Sequence, residues 1–216
     1  MRDDGYLGRG GQTERMYARV STYDIRPGQI EERLRHGRDV STPSRKQQPG
    51  ARGFLNLVDR RAHKNMSISV WDTADDMLAA ERHDDHFKRL SHHRYAAGDI
   101  VREHFEVAAV RRGPGGALPT GRYACVRIYQ IRPGKIEDRL HHGREVTYPA
   151  VRQFGGFRGA LVLVDRTTHK NVTVSLWETE AQMLAMERNE GYARMRSHPH
   201  VVGEVSTQYF EVARHD

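Results

Sequence analysis

YARVSTYDIRPG opens the stretch Tyr17–Arg82 and SISVWDTADDMLAAER closes it; YACVRIYQIRPG and TVSLWETEAQMLAMER open and close Tyr123–Arg188. The two stretches align without a gap, and about 37 of their 66 positions are identical. Long words recur whole: Ile25–Gly28 and Ile131–Gly134, Val58–Arg60 and Val164–Arg166, His63–Asn65 and His169–Asn171. The tails repeat as well, Phe105–Ala108 against Phe210–Ala213, after a one-residue deletion. A period near 106 residues is too long for a solenoid and matches a domain, so the chain holds a duplicated domain.

Within one copy the hydrophobic period switches in a fixed order. Tyr17–Ile25 alternates and is rich in strand formers; Arg26-Pro27-Gly28 then ends it. Ile30, Leu34 and Gly37 mark one face of a helix reaching to about Lys46, or Arg152 in the second copy. Gly53–Asp59 and Asn65–Trp71 read as a hairpin across the polar turn Arg60–Lys64. Thr73 and Thr179 are N-cap residues for a second helix through Met77, Leu78, Glu81 and Phe87, ending near Ser91 or Ser197. A strand at Ile100–Ala108, or Val205–Ala213, closes each unit.

The order β-α-β-β-α-β is the ferredoxin-like arrangement, and the fold class is α+β. The expected layout is a flexible tail over 1–15, repeat 1 over 16–110, a linker over 111–122 and repeat 2 over 123–214. Each antiparallel sheet has helices on one face only, so its other face needs cover. Two tandem units packed sheet to sheet, as an intramolecular dimeric α/β barrel, would supply it, and the chain would be an internal pseudo-dimer. Further association into a homodimer is compatible with this.

The formal net charge is +7 with a pI near 9.7. Arginines are interspersed with acids, as in Glu31-Glu32-Arg33 and Glu137-Asp138-Arg139, which suits a solvated helix face; with no nucleic-acid motif beside them, no nucleic-acid partner is expected. The lone Cys125 excludes an internal disulfide and suits a reducing compartment, where a buried structural thiol is expected. Met1–Arg15 lacks the apolar core of a signal peptide, and no apolar run approaches the ~18 residues of a membrane span. The expectation is a cytoplasmic protein with no membrane partner.

A strand, Pro-Gly and an acidic helix, a Val-Asp-Arg hairpin, and a strand ending Ser-Val-Trp71-Asp-Thr or Ser-Leu-Trp177-Glu-Thr together resemble the antibiotic-biosynthesis monooxygenase domain of the dimeric α/β-barrel superfamily. The resemblance covers about 17–109 and 123–214. It implies a cofactor-independent oxygenase acting on an aromatic or polyketide-type molecule; the alternative is a non-catalytic ligand-binding or stress-related protein of the same fold. In the monooxygenases an asparagine stands four residues before the tryptophan, where this chain has Ser67 and Thr173. The haem-degrading branch uses a tryptophan and a histidine on the second helix, where this chain has Ala80 and Arg89, or Met186 and Met195; haem is not expected, nor any other cofactor.

Strand alternation places Asn65, Ser67, Ser69 and Trp71 on one face, with Asn171, Thr173, Ser175 and Trp177 their counterparts. Such a row can bind a flat aromatic molecule, the indole stacking and the hydroxyls orienting its oxygens; equally, the tryptophans can anchor the strand to the second helix. The candidate catalytic residues are Trp177, Asn171, and His142 or Tyr148 for proton handling. Candidate substrate contacts are Trp71, Asn65, Ser67, Thr173, Phe154, Phe157 and Tyr192. Tyr148, Phe154, Phe157 and Tyr192 stand where repeat 1 has Thr42, Gln48, Ala51 and His86, which makes the second copy the more apolar one. No repeated histidine set has metal-ligand spacing, so no metal is expected and the histidines, His36, His63, His92-His93 and His198 among them, read as solvent-exposed. If one sheet face needs an external cover, residues 12–110 expressed alone will dimerise or aggregate; a well-folded monomer on sedimentation would contradict this.

Overall fold

The computed structural model describes residues 15–82, 94–112, 121–196 and 198–215. Its elements follow the order read from the duplication. The first copy runs β1 (Tyr17–Asp24), α1 (Ile30–His36), α2 (Thr42–Lys46), β2 (Ala51–Asp59), β3 (Lys64–Trp71), α3 (Ala74–Arg82) and β4 (Val101–Arg112). The second runs β5 (Tyr123–Ile131), α4 (Ile136–His142), α5 (Tyr148–Val151), β6 (Phe157–Asp165), β7 (Lys170–Trp177), α6 (Glu180–Glu187), α7 (Glu190–Arg196) and β8 (Val201–His215). The fold is α+β, and its described strand pairings are antiparallel. Phe87 and Ser91, expected on the second helix of the first copy, lie outside the described residues.

The first helix of each copy contains a π turn, Gly37–Ser41 between α1 and α2 and Gly143–Thr147 between α4 and α5. The helix is therefore as long as expected but locally wider, and Pro43 and Pro149 fall at the start of its resumed α segment, where proline is tolerated. Thr42 Oγ1 donates to the Gly37 carbonyl at 2.9 Å, closing the π turn of the first copy.

Turn chemistry sets the register of the hairpins. Asp59 Oδ1 accepts from the amides of Arg61 and Ala62, both at 2.9 Å, and Asp165 Oδ1 does the same for Thr167 and Thr168. His63 and His169 take positive φ values of 54° and 60° at the turn's end. At the other end of β3 and β7, the Asp72 and Glu178 amides donate to the carbonyls of Gly50 and Gly156 at 2.8 and 2.9 Å. Both glycines have positive φ, where a larger residue would be strained, and a Cβ at Gly50 would also lie 2.4 Å from the Asp76 carboxylate. The expected N-caps are in place: Thr73 Oγ1 accepts from the Asp76 amide at 3.0 Å and Thr179 Oγ1 from the Gln182 amide at 3.2 Å.

The chain divides into two compact units whose boundary falls inside β4 and β8. Of the described residues, one unit holds 15–106 and 211–215, the other 107–196 and 198–210. In the first, β4 residues 101–106 pair with β1, β1 with β3, β3 with β2, and β2 with the end of β8 through Val58↔Glu211, Leu57↔Val212 and Leu55↔His215. In the second the order is β8, β5, β7, β6 and the remainder of β4. Arg111 and Arg112, expected in the linker, belong to β4.

Register and alternation divide each sheet. In the first unit Tyr17, Arg19, Ser21 and Tyr23 on β1 stand opposite Trp71, Ser69, Ser67 and Asn65 on β3. This face meets the helices: Trp71 packs with Met77 and Ala80 of α3, and Tyr23 and Val58 with Ile30 and Leu34 of α1. The opposite face, Ala18, Val20, Leu57, Met66, Ile68 and Phe105, is apolar and equally buried. Ending the chain at Phe210 removes β2's partner strand. Amides of Leu55, Leu57 and Val58 are then expected to exchange at least about tenfold faster, roughly 1.4 kcal/mol of local opening, while β7 stays protected; unchanged exchange in β2 would show that the pairing carries no stability.

Candidate functional site

The layer between helices and sheet gathers the residues singled out in the sequence, but uses them differently in the two copies. Trp71 and Trp177 are 1% and 0% exposed, and each indole N–H donates to the serine two residues earlier, Ser69 or Ser175, at 3.0 Å. Trp177 packs with Met183 and Met186 of α6 and lies edge-on to Phe157 at 5.5 Å. Both indoles therefore tie the end of the hairpin to the second helix.

Asn65 and Asn171 are buried on the same face, opposite Tyr23 and Tyr129. Asn171 Nδ2 donates to the Leu163 carbonyl at 2.5 Å, and its Oδ1 accepts from Thr173 Oγ1 at 3.2 Å. Asn65 Nδ2 donates to Ser67 Oγ at 3.3 Å, while its Oδ1 has no partner. An unpaired buried carbonyl is costly and marks a place where a donor is wanted.

The second copy's aromatic residues come together as one cluster. Phe157 and Tyr192 are buried, Tyr148 sits edge-on to Phe157 at 6.2 Å, and Phe154 edge-on to Tyr192 at 6.1 Å. Arg111 lies over the Tyr148 ring at 5.2 Å. Tyr192 also touches a buried ion pair: Arg127 donates to Glu187 through Nη2 and to the Tyr192 hydroxyl through Nη1 at 2.6 Å. Burial pulls the Arg127 pKa down, but Tyr192, Cys125 and Glu187 outweigh it and leave it raised. Burial raises the Tyr192 phenol. Cys125 is buried as expected, its thiol 3.5 Å from Glu187 Oε1.

The first copy has charge where the second has apolar side chains. Arg19, twin of Cys125, is buried 3.8 Å from Glu81, the twin of Glu187; His104 contacts the same carboxylate at 2.7 Å. Arg33 and Arg139 correct the expectation of a solvated helix face. They are 0% and 9% exposed, because they point from the first helix onto the sheet, over the rings of Tyr23 at 5.9 Å and Tyr129 at 5.4 Å.

His142, Nε2 3.0 Å from the Met195 carbonyl, stacks on His198 at 4.2 Å, and His198 lies 4.7 Å from His200. These rings are half-buried rather than solvent-exposed, because the turn after α7 folds back onto α4. His92-His93 and His86 lie outside the described residues, as does Arg89. Among the described residues no group of three or more His, Cys, Asp or Glu is placed to hold a metal. No helix among them is long and apolar enough to cross a membrane.

With this geometry in view, residues 16–92 match the family model for the antibiotic biosynthesis monooxygenase. That match falls on the first repeat, whose sequence the second repeats. An uncharacterized protein of Mycobacterium tuberculosis is 27% identical over 213 residues, covering 97% of this chain and 86% of that protein. Among solved structures, a candidate monooxygenase of Fusobacterium nucleatum matches with a TM-score of 0.72 at 11% identity, covering 95% of each chain. An anthrone oxidase-like protein matches with a TM-score of 0.66 at 15% identity, covering 94% of this chain and 93% of its own. These structures show that the fold extends over both repeats.

Burial, then His142, Arg139 and His200, push the His198 pKa down to about 4. The unfolded chain, with an ordinary histidine near 6.5, then binds the proton more readily than the folded one. Stability conferred by neutral His198 is complete above about pH 6.5 and is lost as pH falls toward 4. Urea midpoints measured over that range should fall with pH in the wild type and fall less in His198→Gln; parallel profiles would contradict the assignment.

Proposed function

We propose that the chain is a monooxygenase-like enzyme acting on a small aromatic or polyketide-type molecule, with the helix-facing layer of the sheet as its binding site. The observation that carries this reading is Asn65: a buried amide whose Oδ1 has no partner, on the family's tryptophan strand and opposite Tyr23. It can accept a hydrogen bond from a substrate hydroxyl and fix the ring against the sheet. A phenolate-type substrate supplies its own electrons to oxygen; one oxygen atom ends as a carbonyl in the product and the other leaves as water. The protein orients the substrate, excludes water and takes up a proton, for which His142 is the candidate base, with Tyr148 a hydroxyl that can donate one.

A non-catalytic ligand-binding protein is the second reading, favoured by repeat 2. There the indole donates to Ser175, Thr173 to Asn171 and Asn171 to the Leu163 carbonyl, and the aromatic side chains pack together. Oxygen uptake separates the two. A panel of planar phenols is expected to include one that drives uptake by purified protein, undiminished by exhaustive chelation and lowered about tenfold or more by Asn65→Ala. Saturable binding with no uptake would assign the chain to the second reading; uptake abolished by chelation and restored by one metal would overturn the cofactor-free chemistry.

A further inference from the structure

The helix α7 covers the aromatic cluster of the second repeat, and histidine rings hold its end down. From the middle of α7, Tyr192 reaches into that cluster, and Met195 packs against it three residues later. The helix lies against α6 and against the π turn Gly143–Thr147. At its end His142, from α4, brings Nε2 to 3.0 Å from the Met195 carbonyl. In the turn that follows, the His198 ring stacks on His142 at 4.2 Å and meets His200 at 4.7 Å. In the first repeat the twin His36 has the Tyr95 ring at 5.6 Å and Arg94 at 3.4 Å.

Hydrogen-bond polarity fixes the protons on two of these rings. A carbonyl only accepts, so His142 Nε2 carries a hydrogen. His198 Nδ1 meets the reverse: the His200 amide donates to it at 3.3 Å, so Nδ1 must keep its lone pair. An imidazolium has no lone pair to offer. Protonating His198 therefore sets N–H against N–H and places a charge beside His142, Arg139 and His200. Asp138 is the acid on this side of α4, but it is exposed, holds Lys135 at 2.7 Å and lies 3.7 Å from His200. Arg132, a further cation, donates its amide to the His200 carbonyl at 2.8 Å and fixes the turn from the strand side.

We propose that the His198–His200 turn is an acid-operated latch on α7: protonation of His198 frees the turn from α4 and opens the aromatic cluster of the second repeat to an apolar molecule. The sign follows from which form holds the proton less readily. Burial, then His142, Arg139 and His200, keep His198 at about 4 while the turn is closed; a released histidine returns to about 6.5. The closed form is thus at full strength above about pH 6.5 and loses ground as pH falls toward 4, by roughly tenfold or more at pH 5. Beneath α7, β5, β6 and β7 are joined by backbone pairing that this titration does not touch, so the opening is local. The latch depends on α7 as a cover and not on the oxygenase reading.

Hydrogen exchange of the full chain at pH 7 and pH 5, expressed as protection factors, tests it. The amides of Tyr192 and Ala193, which donate to Asn189, should lose about tenfold or more of their protection at pH 5 while those of β7 keep theirs. Nile red, an uncharged apolar dye, should gain fluorescence over the same range. In His198→Gln the amide oxygen can still accept from the His200 N–H but takes up no proton, so α7 should stay protected and the dye unbound at both pH values. His141→Gln, on the exposed side of α4, should leave the wild-type response intact. If the glutamine variant opens α7 at every pH, the wild-type ring signals decide: His198 must titrate below its ordinary value and in step with the opening. Equal α7 protection at pH 7 and 5, a loss shared by β7, acid opening that persists in a closed His198→Gln protein, or a His198 ring that titrates while α7 stays shut would each overturn the latch.

Discussion

A guanidinium held between the first helix and the sheet sets the terms for the rest of each repeat. Arg33 and Arg139 reach down from that helix onto a strand tyrosine, and burying a cation there demands room and acceptors. Room comes from a glycine four residues on. A Cβ at Gly37 would sit 2.6 Å from Arg33 Nη1, and one at Gly143 3.3 Å from Arg139 Nη1. The same glycines begin the π turns that widen the helix. One buried charge thus accounts for a backbone irregularity and for a glycine that would otherwise weaken the helix.

The duplication shows how charge moves under a fixed frame. Glu81 and Glu187 occupy the same place at the end of the second helix, and each takes an arginine from the first strand of its repeat. In repeat 1 it is Arg19; in repeat 2 it is Arg127, one strand period along, with Cys125 in the vacated position. The second pair is closer and bridges to Tyr192, so it is neutralised and wrapped in aromatic surface. The first leaves Glu81 divided between Arg19 and His104. Two copies that share more than half their aligned residues therefore pair the same carboxylate in different ways.

Element order, both hairpins, the N-caps at Thr73 and Thr179 and the two faces of β3 and β7 were legible because each rests on local rules: alternation, turn chemistry and spacing. The buried arginines were not. A charge three residues from an acid gives the same pattern whether it faces water or a tyrosine, and Glu31-Glu32-Arg33 gives no local clue to direction. The half-buried stack of His142 and His198 was hidden for a similar reason, since it joins the end of α4 to a turn more than fifty residues later. The extra length of β4 and β8 was missed because Arg111, Arg112, Arg214 and His215 carry no strand pattern of their own and are recruited by pairing.

That recruitment has a consequence for how the protein is made. The part of β8 that pairs with β2 leaves the ribosome about 150 residues after β2 does, roughly 8–30 s later at ordinary elongation rates. Throughout that interval the first repeat presents Leu55, Leu57 and Val58 on an unpaired strand edge. The older half of the chain must therefore wait, exposed, for the younger half, and its exposure to proteases and to strand-capturing chaperones during synthesis is set by translation speed rather than by its own folding rate.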